Sequence, residues 1–170
     1  MAFIGFKVPA SAARALSSIE VPAGAPVPEE EMHVTLLYLG KGIPVVNALG
    51  AAMGCHTVAV RWKPFMVHAA ALMSFPENPD DGLPVIARVV SSELGRFREE
   101  VRAAMDRMSI PYSNKYPEYK PHVTLAYAAG GTPPVTAVKI GPVSWEVREL
   151  TVWGGQEMTD VVQATLQLMG

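Results

Sequence analysis

The chain has 170 residues, of which 49% are hydrophobic and 18% charged, a composition typical of a folded globular protein and not of a disordered segment. Its formal net charge is −2, so no strong overall field attracts it to long nucleic acid or to an anionic membrane. A locally basic pocket for a small charged ligand stays compatible with these numbers.

The single cysteine, Cys55, excludes an intramolecular disulfide and favours a reducing compartment. Segment 1–16 has no basic region ahead of its short apolar run, so we interpret it as a mature strand and not as a signal peptide. No apolar run approaches the roughly 18 residues that a membrane span needs. We therefore expect a cytoplasmic protein that does not bind membranes.

From the N-terminus, the chain is predicted to alternate strands and helices. An apolar, β-prone run that stops at Pro9 indicates a strand over 2–8, and the alanine-rich segment 10–20 is compatible with a helix. Three prolines and a glycine predict a loop over 21–31. A second run of β-forming residues then predicts a strand over 32–39.

The middle of the chain contains a predicted short helix, a pair of strands and the clearest helix. The short helix lies at 45–54, and strands at 64–75 and 85–91 flank a long connection. Apolar residues at steps of three and four predict a helix over 92–108 with one buried stripe. We expect its arginines to form a solvated face paired with neighbouring glutamates; they are Arg96, Arg98, Arg102 and Arg107.

The C-terminal part begins with an irregular segment, 110–121, that is rich in tyrosine and proline. The remaining predicted strands lie at 122–127, 137–147, 148–154 and 161–168. The order is roughly β-α-β-α-β-β-α-β-β-β, which indicates an α+β chain. No segment is polar enough to separate two independent domains, so we expect one domain over 1–170, made of two similar lobes.

One pattern, H-V-T-L-x-Y, occurs twice in the chain, starting at His33 and again at His122, 89 residues later (122 minus 33). Residues two apart on a strand point to the same face, so His33 shares a face with Thr35, and His122 with Thr124. Each strand therefore carries one polar window, an imidazole and a hydroxyl, in an otherwise apolar row.

The same alternation places the two tyrosines of the repeat, Tyr38 and Tyr127, on the faces opposite the histidines. We expect them to pack under helices and not to line a site. Trp145 and Trp153 lie in the closing strands, where core packing is the favoured interpretation for each.

If the two strands are neighbours in one central sheet, two imidazoles and two hydroxyls converge. Two histidines with pKa values near neutrality suit the cleavage of a phosphodiester, since one accepts the proton of the attacking oxygen and the other protonates the departing one. The two hydroxyls can donate to the non-bridging phosphate oxygens. This chemistry requires no metal and no cofactor, and a zinc site is disfavoured because no closely spaced third ligand is evident.

Two H-x-T motifs, "MHVTLLYLG" and "YKPHVTLAY", one in each half of the chain, resemble the signature strands of the 2H phosphoesterases. That superfamily includes 2′,3′-cyclic nucleotide phosphodiesterases, proteins described as 2′-5′ RNA ligases, and phage enzymes that degrade cyclic oligonucleotide immune signals. The resemblance implies a bilobal, pseudo-twofold α+β fold with antiparallel sheets, flanking helices and a central cleft. It also implies that the catalytic residues are His33, Thr35, His122 and Thr124.

The resemblance implies metal-independent hydrolysis of a small nucleotide phosphodiester. The substrate is either a 2′,3′-cyclic phosphate or a cyclic oligonucleotide second messenger, and the latter would make the chain a phage counter-defence enzyme. RNA ligation and non-catalytic sequestration of a nucleotide are the alternatives. The near-neutral charge favours a small ligand over long RNA. The sequence leaves open the exact substrate, which histidine is the acid, and the oligomeric state.

The loop that leads into the second motif offers candidate substrate contacts. Tyr116 and Tyr119 alternate there with Lys115 and Lys120, and aromatic faces with lysines suit a nucleotide's base and phosphate. A proline-stiffened surface loop explains the same composition equally well.

Overall fold

In the computed structural model, the described residues are 1–77, 82–115, 118–154 and 162–170. The helices are α1 (Ala10–Ser17), α2 (Val45–Ala59) and α3 (Leu94–Arg107). The strands are β1 (Ala2–Lys7), β2 (Gly24–Pro26), β3 (His33–Gly40), β4 (Phe65–Ser74), β5 (Leu83–Val90), β6 (His122–Ala128), β7 (Val138–Val147), β8 (Glu149–Gly154) and β9 (Val162–Gln167). The chain is therefore the α+β protein that its sequence predicts.

The segment predicted as a loop over 21–31 differs from expectation. It contains the short strand β2 and a 3-10 helix, Glu29–Glu31. β2 is held by pairing with β6, from Gly24 opposite Ala128 to Pro26 opposite Ala126. Its structure therefore depends on a strand about a hundred residues later in the chain, which local composition does not reveal.

The strands form two antiparallel sheets whose orders correspond over four strands, and the second sheet has β2 as an additional edge strand. The first sheet has the order β3-β1-β8-β9, and the second has β2-β6-β5-β4-β7. In each sheet the motif strand pairs with an earlier strand, and a helix lies between the two in the chain. β3 pairs with β1, with α1 between them, and β6 pairs with β5, with α3 between them. This is the bilobal arrangement that the sequence predicts.

The two motif strands are not neighbours in one sheet, because β3 belongs to the first sheet and β6 to the second. They contact each other where the two sheets meet. Helices α2 and α3 pack against each other, and α2 also covers β8 and β9. No helix among the described residues is long and apolar enough to cross a membrane.

The core consists of apolar side chains between the sheets and the helices. An aromatic cluster is part of this core, where the rings of Trp62, Phe65 and Phe97 meet edge to face at centroid distances of 4.9–5.6 Å. The inward rows of the motif strands belong to the same core, since Val34 and Val123 are fully buried. The opposite rows are therefore left to line a cleft.

Candidate active site

Each motif histidine is held by its own strand through the same hydrogen bond. His33 Nδ1 lies 2.7 Å from the carbonyl oxygen of Glu31, and His122 Nδ1 lies 2.7 Å from that of Lys120. A carbonyl oxygen only accepts, so the Nδ1 atom of each ring carries the proton and donates it. In the neutral form, Nε2 is then the basic nitrogen of each ring, free to exchange a proton with a substrate.

Both motif strands carry a β-bulge immediately after the threonine. On β3, Thr35 pairs with Gly5 but Leu37 pairs with Ile4, so Leu36 is an extra residue without a partner in the ladder. On β6, Thr124 pairs with Ile86 but Ala126 pairs with Val85, so Leu125 is extra. The repeated hexapeptide therefore has the same irregularity in both sheets.

The bulges turn the two tyrosines toward the histidines. Leu36 and Leu37 are both buried, as are Leu125 and Ala126, so the alternation of faces shifts by one residue at this point. Tyr38 and Tyr127 consequently line the same cleft as the histidines. The expectation that they pack under helices, away from the site, is wrong because strict alternation does not cross a bulge.

The carbonyl groups of both bulged leucines have donors from distant parts of the chain. Arg98, on α3, donates from Nε to the Leu36 oxygen at 3.1 Å. The backbone N–H of Val27 donates to the Leu125 oxygen at 2.8 Å. Arg98 is thus not part of a purely solvated arginine face, since its side chain is 14% exposed and supports β3 from the other lobe.

The cleft between the two sheets has a volume of about 510 Å³, a size suited to a nucleotide. It is lined by the histidine, threonine and tyrosine of both repeats: His33, Thr35, Tyr38, His122, Thr124 and Tyr127. The structure therefore brings together all four residues that the sequence predicts as catalytic, although from separate sheets. Lys7, Glu30 and Glu31 add charged groups to the lining.

Aromatic rings flank both histidines. Phe3 stacks on His33 and on Trp153, each at a centroid distance of 4.6 Å, and Trp153 lines the cleft. Phe75 meets His122 edge to face at 4.7 Å. Trp145 is buried as expected, but the same expectation for Trp153 is wrong, because the pairing of β8 with β1 places it beside Phe3.

Burial lowers the pKa of both histidines below the ordinary value, since it penalises the charged ring. The bonds to the carbonyls of Glu31 and Lys120 act in the opposite direction. The Glu31 carboxylate raises the pKa of His33 further, whereas the charge of His33 lowers the pKa of His122.

Of the loop residues suggested as substrate contacts, the three that the structure describes, Lys115, Tyr119 and Lys120, are not among the residues that line the cleft. Tyr119 is half-buried beneath the Arg98 guanidinium, 4.7 Å from its ring centroid, and burial raises the pKa of its phenol. Lys120 forms an ion pair with Glu118 at 3.1 Å, and Lys115 is exposed. Tyr116 lies outside the described residues. A binding role for these four residues stays a prediction.

The described part of the chain contains no group of three or more histidine, cysteine, aspartate or glutamate side chains placed to hold a metal ion. His68, which the repeat does not include, bonds instead to Ser144 Oγ at 2.7 Å.

The family model of the 2′-5′ RNA ligase superfamily matches residues 8–157, which is most of the chain. The chain belongs to this superfamily. The resemblance to the 2H phosphoesterases, first indicated by the two H-x-T motifs, is thereby confirmed.

Two curated members of the superfamily are similar in sequence, and both are named RNA 2′,3′-cyclic phosphodiesterase. The protein of Aeropyrum pernix is 32% identical over 106 residues, which are 61% of this chain and 57% of the relative. That of Thermus thermophilus is 30% identical over 132 residues, 72% of this chain and 62% of the relative. The chain thus spans less than two thirds of the length of each.

Solved structures share the fold over nearly the whole chain. A protein of Thermus thermophilus superposes with a TM-score of 0.78 at 22% identity, covering 100% of this chain and 99% of its own. E. coli LigT complexed with 3′-AMP gives a TM-score of 0.62 at 18% identity, covering 98% and 94%. These structures therefore share the bilobal fold of this chain.

Sequence reasoning missed several residues of the cleft, chiefly Phe3, Lys7, Trp153 and the two tyrosines. A signal for the tyrosines existed in the repeat, because an apolar pair, "LL" in one copy and "LA" in the other, interrupts strict alternation ahead of each tyrosine. Phe3, Lys7 and Trp153 become visible only through strand register, which one sequence does not provide.

Proposed function

We propose that the chain is a phosphodiesterase that hydrolyses 2′,3′-cyclic phosphates at RNA ends or on nucleotides, without a metal ion. The observation that carries the proposal is the pair of His and Thr windows facing one cleft of nucleotide size. The names of the two curated relatives favour the cyclic phosphate over other phosphodiesters. A cyclic oligonucleotide messenger, the substrate of a phage counter-defence enzyme, needs the same chemistry.

The proposed mechanism assigns the base to His122 and the acid to His33. With one proton in the cleft, His33 holds it, because the Glu31 carboxylate stabilises that charge and His33 in turn disfavours a charge on His122. Neutral His122 accepts a proton at Nε2 from a water molecule, whose oxygen attacks phosphorus. The bond from phosphorus to one ribose oxygen breaks, and His33 Nε2 protonates that oxygen.

In this mechanism, Thr35 and Thr124, which both line the cleft, donate to the non-bridging phosphate oxygens as negative charge builds on them. The cycle leaves His33 neutral and His122 protonated, so exchange with solvent restores the starting state. Trp153 and Phe3 offer an apolar ring surface beside His33, on which a base can stack.

The test is a substrate panel containing adenosine 2′,3′-cyclic phosphate, an oligoribonucleotide with a 2′,3′-cyclic end, and cyclic di- and trinucleotides, with products separated by chromatography. The cyclic-phosphate substrates are expected to be hydrolysed, and EDTA to leave the rate unchanged. His33→Ala and His122→Ala are each expected to lower kcat by about 10²- to 10⁴-fold. His56→Ala, an exposed histidine on α2, is the matched control.

Activity retained by the double histidine variant would contradict the mechanism. Cleavage of the cyclic oligonucleotides alone would contradict the proposed 2′,3′-cyclic phosphate substrate but agree with the two-histidine mechanism. A stoichiometric complex from which uncleaved nucleotide is recovered would indicate sequestration, and joined RNA ends would indicate ligation.

A further inference from the structure

A row of basic side chains crosses the second sheet in register with His122. His122 on β6 pairs with Arg88 on β5, Arg88 pairs with Ala71 on β4, and Ala71 pairs with Lys139 on β7. Residues paired directly across antiparallel strands share a face of the sheet. Arg88 and Lys139 therefore rise from the face that carries His122, separated by a small alanine.

The spacing of this row suits a chain of phosphates. Adjacent strands are about 4.8 Å apart, which places the Arg88 backbone about 5 Å and the Lys139 backbone about 14 Å from that of His122. Both side chains are exposed, and within the described residues neither forms an ion pair. Two cations at these distances are positioned for successive anionic groups and not for one.

The two lobes differ in charge along this direction. In the first sheet, His33 pairs with Lys7, but two carboxylates, Glu30 and Glu31, line the cleft on the same side. The five strands of the second sheet, as the structure describes them, carry a single carboxylate, Glu146 on β7, and it forms an ion pair with Arg148. A polyanion is therefore attracted over the second sheet and not over the first.

We propose that Arg88 and Lys139 bind the phosphates that precede the scissile one, so that the substrate is a short oligoribonucleotide whose chain runs from His122 across β5 and β4 to β7. This inference rests on the proposed function and extends it from the reacting phosphate to the class of molecule that carries it. A row this short accommodates a few nucleotides, in agreement with a protein whose net charge does not attract long nucleic acid.

The test compares two substrates that share one reacting group: adenosine 2′,3′-cyclic phosphate and a tetra-adenylate with a 2′,3′-cyclic end. Arg88→Gln and Lys139→Gln are each expected to lower the ratio of kcat/KM for the tetranucleotide to that for the mononucleotide by about fivefold, mainly through KM. The log–log slope of the tetranucleotide's kcat/KM against salt should become shallower by about 0.7 for each contact removed.

Arg88→Lys, which keeps the charge, should restore most of the ratio, and Lys63→Gln, an exposed cation elsewhere, should leave it unchanged. A ratio and a salt slope equal to those of the unmodified protein in both glutamine variants would overturn the proposal.

Binding of a fluorescein-labelled tetra-adenylate 3′-phosphate, followed by polarisation, separates this proposal from the proposed function. If the protein shows no turnover but its affinity depends on Arg88 and Lys139, phosphate binding by these two residues is supported and the proposed phosphodiesterase activity is contradicted. If the protein turns over substrate but its affinity is the same without Arg88 and Lys139, the activity is supported and phosphate binding by these residues is contradicted.

Discussion

At the scale of single residues, the site is built from a local unit in which a histidine ring bonds to the carbonyl two residues before it. The Glu31 and Lys120 carbonyls fix the same tautomer in both rings. The units differ in the side chain that accompanies the carbonyl, a carboxylate in one and an ammonium in the other. The Glu31 carboxylate favours the charged form of its ring, so protonated His33 has a stabilising neighbour that His122 lacks.

Glu31→Gln is expected to narrow the pH profile of kcat/KM from its alkaline side. The carboxylate raises the pKa of His33, so its removal lowers that pKa, and the acid loses its proton at a lower pH. The acidic limb, set by the ionisation of His122, should move less. Because burial lowers both pKa values, the optimum should lie below about 6.5.

The measurement is kcat/KM from about pH 4.5 to 9 at constant ionic strength, a range that spans the ordinary histidine pKa. Glu29→Gln is the matched control, since Glu29 lies on the same 3-10 helix but does not line the cleft. An alkaline limb that stays in place or moves upward in Glu31→Gln would contradict the assignment of the acid to His33.

At the scale of secondary structure, each motif strand depends on a bulge that another element stabilises. Arg98 of α3 donates a hydrogen bond to the carbonyl oxygen of the bulged Leu36. The Tyr119 ring, which lies beneath the Arg98 guanidinium, places its hydroxyl 3.4 Å from the Thr35 carbonyl oxygen. Gly5 lies opposite Thr35, and a Cβ there would collide with the Val34 carbonyl oxygen. The shape of β3 is therefore set by contacts from both sides.

Arg98→Met is expected to lower the free energy of unfolding by about 1–3 kcal/mol, because it leaves the Leu36 carbonyl without its donor. Urea denaturation measures this change. Arg107→Met, on an exposed position of the same helix, should change stability by less than about 0.5 kcal/mol. Equal stabilities for the two variants would show that Arg98 does not support the bulge.

The sequence alone predicts the α+β class, the long helices and strands, and the four residues that meet in the cleft, because His-x-Thr lies within a regular stretch of strand. The sequence does not predict the bulges at Leu36 and Leu125. The bulge that follows depends on Gly5, Arg98 and Val27, which are far away in the chain. The sequence also does not predict that the two motifs belong to separate sheets, because the residue pattern of one strand is compatible with any antiparallel partner.

At the scale of the whole molecule, the distance between the histidines is set by how the two lobes pack, since His33 and His122 belong to different sheets. Helix α2, which covers the first sheet, contacts α3 at Gly54. A Cβ at that position would lie 2.8 Å from Met105 Cε and 3.3 Å from Met108 Cγ. The small residue lets the helices approach closely and so contributes to the width of the cleft.

Gly54→Leu is expected to separate α2 from α3, to cost about 1–3 kcal/mol of stability and to reduce kcat, because both lobes must shift. Gly95→Ala on α3 is the control: nothing lies within 4 Å of its Cβ position, so it should be neutral or stabilise by up to about 1 kcal/mol. Thermal unfolding and steady-state kinetics provide both readings. A Gly54→Leu protein with unchanged Tm and kcat would contradict this role.

The paired bulges also restrict how this protein can evolve. A histidine and a tyrosine five positions apart share a face only because one residue between them is supernumerary. Loss of one codon at the bulge leaves the two side chains four positions apart on a regular strand, which keeps them on the same face. A substitution that straightens the bulge without shortening the chain turns the tyrosine away from the cleft instead. Selection on these strands therefore acts on the match between strand length and bulge, and homologues should keep the histidine and the tyrosine either five positions apart with a bulge or four apart without one.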